Sequence, residues 1–254
     1  MTGRRVTPVV EIVATSHPYR PLVGVIGGVG PLSTAYFLER LIRLTDAHHD
    51  QDHIDAIVFN HAGIPDRTDY LVGRSDVDPG PILAADARRL EAFGSSFLVM
   101  PCNTAHYFYQ TIERAVAIPF ISIVDVTVAE ALRRYPTAKA VGLLATEGTV
   151  ASGVYHNAFQ KYGVEVIVPD LDDQAVINNV IYEQVKAGLP VDVAAIRVIA
   201  RKLVGSGASV VLLGCTELSV VALDHHLLID PIFLDTMETL VRATIIEAGH
   251  HVRR

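Results

Sequence analysis

A chain of 254 residues, half of them hydrophobic, is long enough for one large core or for two domains of roughly 100 to 120 residues each. Its formal charge of −7 and scattered arginines leave no basic stripe with interleaved aromatics, which argues against nucleic-acid binding, and no apolar run nears the roughly 20 residues of a membrane span. Two cysteines do not make a disulfide framework, so a soluble protein with free thiols in a reducing cytoplasm is expected.

The first twenty residues hold an arginine pair, a short interrupted apolar segment and no small-residue cleavage site, and read as an extension, not a signal peptide. "LVGVIGG" (22–28) is a strand, and 32–45 is a helix with Ala35, Leu38, Leu41 and Ile42 on one face. Between them, "GVIGGVGP" matches only Gly28 and Gly30 of a dinucleotide loop and has Ser33 in the third place. A tight turn with Pro31 opening the helix explains it equally well. A second strand, "AIVFNHA" (56–62), leads into the polar loop "IPDRTDY" (64–70), where Arg67 either pairs with Asp66 or Asp69 or points into a cleft as a carboxylate clamp. The strand "SFLVMP" (96–101) breaks at Pro101 and is followed by Cys102, Asn103 and Thr104. Further strands are "IPFISI" (118–123), "KAVGLLA" (139–145), "VEVIVP" (164–169) and "ASVVLLG" (208–214), the last followed by Cys215, Thr216 and Glu217. Lys186 ends the helical stretch "INNVIYEQVKAG", with Gly188 as its stop, and by itself reads as a solvated lysine.

Strands too apolar to alternate, separated by helices, predict an α/β protein with parallel sheets covered on both faces. The Val-Gly pairs of "LVGVIGGVGP" and "AVGLLATEGT" lie roughly 118 residues apart, and the two cysteines roughly 113. Two similar doubly wound domains follow: residues 1–118 plus 229–254 with Cys102, and 119–228 with Cys215. Each cysteine then sits just past the carboxyl end of a strand, where open α/β sheets place ligands. If the halves face each other, so do the cysteines.

Residues suited to starting a helix follow each cysteine, and a helix N-terminus favours an anion, either a thiolate or a substrate carboxylate. The alternative is a small buried hydrophobe at a strand end. Two opposed thiols suit inversion of a carbon centre, one taking a proton from one face while the other returns one to the opposite face. His106 and Glu217 are candidates to assist Cys102 and Cys215. Cys102, His106, Cys215 and a carboxylate also make a nominal zinc set, but the paired spacings of structural zinc sites are missing, so no metal is expected.

The motifs "GVIGGVGPLSTAYF", "DQDH", "IPDRTDYL", "MPCNTAH", "GLLATEGTVASGVY", "YEQVKAG" and "GCTELSVV" run in order through nearly all of the chain after the extension. Together they resemble the PLP-independent aspartate/glutamate racemases, and among them the aspartate racemases most closely. The resemblance implies two α/β domains about a pseudo-twofold axis, a cleft site between them, a homodimer and no cofactor. It implies Cys102 and Cys215 as the acid/base pair, and Arg67 with Lys186 as holders of the side-chain carboxylate. It also implies Asn103, Thr104, Ala105 and Thr216 around the α-carboxylate, with Thr146 lining the site. Val29, His61 and Gly63 depart from the residues common in that family and are expected to reshape the pocket. The function expected is interconversion of L- and D-aspartate, with glutamate a further substrate. Two other readings stand beside it: an isomerase or epimerase of another small carboxylate using the same cysteines, and a non-catalytic ligand-binding or redox-sensing protein.

Overall fold

The computed structural model describes residues 20–253, so the expected N-terminal extension lies almost wholly outside the described residues. The first half contains β1 (Val23–Gly27), α1 (Pro31–Leu44), β2 (Ala56–Asn60), α2 (Arg67–Leu71), α3 (Gly80–Ala92), β3 (Phe97–Val99), α4 (Tyr109–Glu113) and β4 (Phe120–Ile121). The second contains α5 (Ile123–Arg134), β5 (Ala140–Leu144), α6 (Glu147–Ser152), α7 (Val154–Gln160), β6 (Glu165–Ile167), α8 (Leu171–Asn179), α9 (Val193–Gly205), β7 (Val211–Leu213), α10 (Thr216–Asp224) and β8 (Phe233–Asp235). α11 (Thr236–Glu247) returns to pack on α1 and α5.

All strand pairings are parallel, and the four-stranded sheets have the orders β2-β1-β3-β4 and β6-β5-β7-β8. These are one topology used twice, so β3 and β7, the strands that precede the two cysteines, occupy equivalent places. The duplication read from the Val-Gly pairs is therefore a duplication of sheets. The expected boundaries each need moving by one strand. β4 pairs with β3 and completes the first sheet, while β8, not anticipated as a strand, pairs with β7 and completes the second.

The strands are apolar throughout because both faces of each sheet are covered. Val23, Val25, Phe97 and Val99 of the first sheet share one core with Val141, Leu143, Leu212 and Leu234 of the second, closed by α1, α5, α7 and α11. The opposite faces form separate cores, with Ile26, Leu98 and Met100 against α3 in one, and Leu144, Val211 and Leu213 against α8, α9 and α10 in the other. Ser122, Thr146, Asp170 and Asp192 start their helices by accepting the amide three residues on, which satisfies an otherwise orphaned donor. No helix among the described residues is long and apolar enough to cross a membrane.

Candidate active site

Both cysteines line one pocket between the two halves, a space of about 310 Å³ that includes its opening to solvent. Cys102 lies in the turn after β3, ahead of a 3-10 turn at Thr104–Phe108, whereas Cys215 is the N-cap residue of α10. They are 6% and 5% exposed, and neither is in a disulfide. The expectation that a helix N-terminus would lower the thiol pKa is reversed here, because burial outweighs it. Burial pushes the Cys102 thiol up, against the opposing pull of Arg67 and of the Ala105 amide. Cys215 is pushed well above the ordinary thiol range, first by burial and then by Glu217, whose charge and hydrogen bond both hold the proton on sulfur. Cys215 Sγ donates to Glu217 Oε2 at 3.0 Å, and the Glu217 carboxylate is itself buried. Gly30 makes room for it: a Cβ there would come within 2.7 Å of Glu217 Oε1, and the glycine's φ of 114° is one that side chains rarely adopt.

Arg67 begins α2 and is 9% exposed. Its Nη1 donates to the carbonyls of Ile64 and Pro65 at 3.3 and 3.1 Å, and its Nε has no partner. The neighbouring carboxylates are occupied elsewhere, Asp66 in capping α2 and Asp69 in a 2.8 Å pair with Arg74. Lys186 is exposed at the cavity mouth, with its ammonium 4.2 Å from the centre of the Tyr182 ring. Among the described residues, no ion pair holds Arg67 or Lys186. Two cations in no ion pair therefore border the cavity, alongside the carboxylates of Asp66 and Glu217.

A group of hydroxyls lines the cavity as well, with Thr146 Oγ1 3.5 Å from Thr68 Oγ1 beside Arg67. Thr104 Oγ1 lies 3.0 Å from Thr146 Oγ1 and 2.8 Å from Thr149 Oγ1, joining the two halves across the cleft. Thr216 lines the same cavity and is buried, with its hydroxyl 3.4 Å from Glu217 Oε2. Asn103 also lines it, but its side chain is engaged by the protein, accepting from Tyr155 and donating to Thr236 Oγ1 at 3.1 Å. The Ala105 amide faces the Cys102 sulfur.

His106 corrects a sequence expectation. Its Nδ1 lies 2.7 Å from the Cys102 carbonyl and its Nε2 accepts from the Ile123 amide at 3.0 Å, so both ring nitrogens are taken up by backbone. Burial lowers its pKa to about 4, which keeps the ring neutral. It bolts the Cys102 turn to the start of α5 and is not placed to deprotonate the thiol. His61, expected to reshape the pocket, instead pairs through Nδ1 with the buried Asp86 of α3 at 2.7 Å, while Val29 does line the cavity. Among the described residues, no group of three or more His, Cys, Asp or Glu side chains is arranged to hold a metal ion.

Sequence reasoning missed Asp66, Thr68 and Tyr182 as cavity residues. Asp66 and Thr68 flank Arg67 in the quoted loop motif. Tyr182 carries one signal, its place four residues before Lys186.

A family profile described as Asp/Glu/Hydantoin racemase matches residues 26–244. The broad specificity amino-acid racemase RacX of Bacillus subtilis is 30% identical over 228 residues, covering 88% of this chain and 96% of that protein. Among solved structures, the aspartate racemase of Picrophilus torridus superposes with a TM-score of 0.77 at 28% identity, covering 92% of this chain and 96% of that one. Glutamate racemase from Campylobacter jejuni shares the fold, with a TM-score of 0.59 at 15% identity over 92% of this chain and 87% of that one. With its duplicated sheet and its matching profile, the chain belongs to the Asp/Glu/hydantoin racemase family and is an isomerase.

Proposed function

We propose that the protein interconverts the enantiomers of aspartate, without a cofactor, by proton transfer between Cys102 and Cys215. The observation that carries this reading is the placement of two buried, unpaired thiols on one cavity that also holds a buried arginine with no counter-ion. An unpaired buried cation is costly, and a substrate carboxylate removes that cost. Arg67, with Lys186 at the mouth, takes the side-chain carboxylate. The α-carboxylate lies among Thr104, Thr146, Thr216 and nearby amides, including that of Ala105, with Asn103 keeping the turn in place.

One sulfur enters the reaction as thiolate and accepts the Cα proton, while the other, a thiol, delivers its proton to the opposite face. Negative charge passing through Cα spreads onto the α-carboxylate, where preorganised hydroxyl and amide donors stabilise it. Each turnover leaves the cysteines with exchanged protonation, which suits a reaction whose product is the mirror image of its substrate. Cys102, the less strongly raised thiol, is the resting base, and Cys215 is the resting acid with its proton directed at Glu217. Glu217 also takes that proton when Cys215 must act as base. Family resemblance supports a homodimer, and a cysteine count too low for a disulfide framework supports a reducing cytoplasm.

The test is chiral chromatography of L-aspartate, D-aspartate, both glutamates and neutral amino acids incubated with the protein. The reading predicts conversion of aspartate in both directions and its loss in Cys102→Ser and Cys215→Ser. Failure to convert any acidic amino acid, or full activity in either serine variant, overturns it.

A further inference from the structure

Tyr182 lines the cavity and connects the two halves. It lies in a π-helical turn, Val180–Val185, that continues α8 and closes with the Lys186 amide donating to the Ile181 carbonyl at 3.1 Å. Residues four apart share a helix face, and here the Lys186 ammonium lies 4.2 Å from the ring centre. From the other side, the phenol donates to Thr68 Oγ1 at 2.8 Å, on α2 and next in sequence to Arg67. The ring is therefore held at its tip by one half and carries a cation from the other, while its edge lines the same cavity as the two cysteines. Burial raises the phenol pKa, so the hydroxyl remains a neutral donor and its anchor persists at working pH.

We propose that Tyr182 sets the length of the acidic side chain that the site accepts, admitting one methylene between Cα and the distal carboxylate and resisting two. This rests on the racemase reading given above. With the reacting carbon between the sulfurs and the distal carboxylate taken by Arg67 and Lys186, an added methylene brings that carboxylate against the ring, which lies under Lys186 and is tied to the residue after Arg67. Its hydroxyl bond to Thr68 and the Lys186 ammonium over one face oppose a swing of the ring. One misplaced methylene in a well-formed pocket is worth roughly 10- to 200-fold in discrimination.

The test compares kcat/KM for L-aspartate and L-glutamate in the wild-type protein, Tyr182→Phe and Tyr182→Leu, with kcat and KM resolved and folding checked by circular dichroism. Tyr182→Leu shortens the wall and is expected to lower the aspartate-to-glutamate ratio about tenfold or more, mainly through a lower KM for glutamate. Tyr182→Phe keeps the cation contact but frees the tip, and should fall between leucine and wild type. If Tyr182 merely supports the π turn, both substrates lose activity in parallel and the ratio stays fixed, which overturns the proposal. A wild-type enzyme that already treats glutamate and aspartate alike overturns it too, while leaving the racemase reading intact. A wild type inert toward both overturns the two together. Should the leucine variant not fold, the phenylalanine variant decides by the same ratio.

Discussion

Arg67→Ala removes the buried cation proposed to hold the substrate's distal carboxylate. The guanidinium is 9% exposed and makes two carbonyl contacts through Nη1, with Nε unpaired, so solvent neither screens it nor replaces it readily. Stripping one partner from a buried charge pair costs about 3–5 kcal/mol. At 1.36 kcal/mol per tenfold, kcat/KM for aspartate should fall by roughly two to three and a half orders of magnitude. Lys186 is a useful control, because it is exposed at the mouth and an exposed pair contributes only about 0–1 kcal/mol. Lys186→Ala should therefore cost several-fold at most. The assay is the initial rate of D-aspartate formation by chiral chromatography, with an uncharged amino acid measured alongside if the wild type accepts one. Arg67→Ala should hit aspartate selectively and leave the slow neutral reaction nearly unchanged. A loss of less than about tenfold on aspartate, or an equal loss on neutral substrates, would refute the assignment of Arg67 to the side-chain carboxylate.

Glu217→Gln removes the charge that holds the proton on Cys215, so in the direction where Cys215 is the base the alkaline-rising limb of the pH–rate profile should move to lower pH. If Glu217 also accepts that proton, kcat should fall as well. His106 is depressed from 6.5 to about 4, so the native state favours its neutral form. Its contribution to stability is present above pH 6.5 and is lost as pH falls toward 4, by roughly 3 kcal/mol at 1.36 kcal/mol per unit. The difference in urea midpoint between wild type and His106→Gln, followed from pH 7 to 4, isolates this loss from the opposing one at Asp235; a difference that does not change with pH would contradict the buried neutral ring. Asp235, buried and raised from 3.8 to about 6, acts in the opposite sense. Its protonated form is favoured on folding, so stability falls as pH rises from about 4 to 6, and Asp235→Asn should remove that component.

The cysteine pair was legible because each follows an apolar strand that stops abruptly, and parallel strands buried on both faces leave a clear apolar signature. The repeat offset then implied that two such strand ends would be equivalent, as β3 and β7 are. The strand β8 was not legible, since its three residues, Phe233 to Asp235, the last of them capping α11, are too few to display a pattern. β4 is shorter than its apolar run, because Ser122 caps α5 and turns the chain out of the sheet. The reading of His106 failed for a related reason: four-residue spacing implies a shared face only within a helix, and Cys102 precedes the 3-10 turn. Tyr182 escaped notice because its role depends on a contact with Thr68, 114 residues away. Thiol pKa direction was misjudged because a sequence shows the helix that follows a cysteine but not the depth of the cleft around it.

The fate of the Cα hydrogen tests the two-base scheme most directly. Start from pure L-aspartate in heavy water, stop the reaction at a few per cent conversion, and measure α-deuterium separately in each enantiomer by mass spectrometry. Delivery from the opposite sulfur predicts D-aspartate bearing solvent deuterium while the remaining L-aspartate keeps its protium, with the pattern mirrored from D-aspartate. Deuterium appearing equally in recovered substrate and product from the first turnovers, or protium carried through into the product, would contradict two cysteines acting on opposite faces.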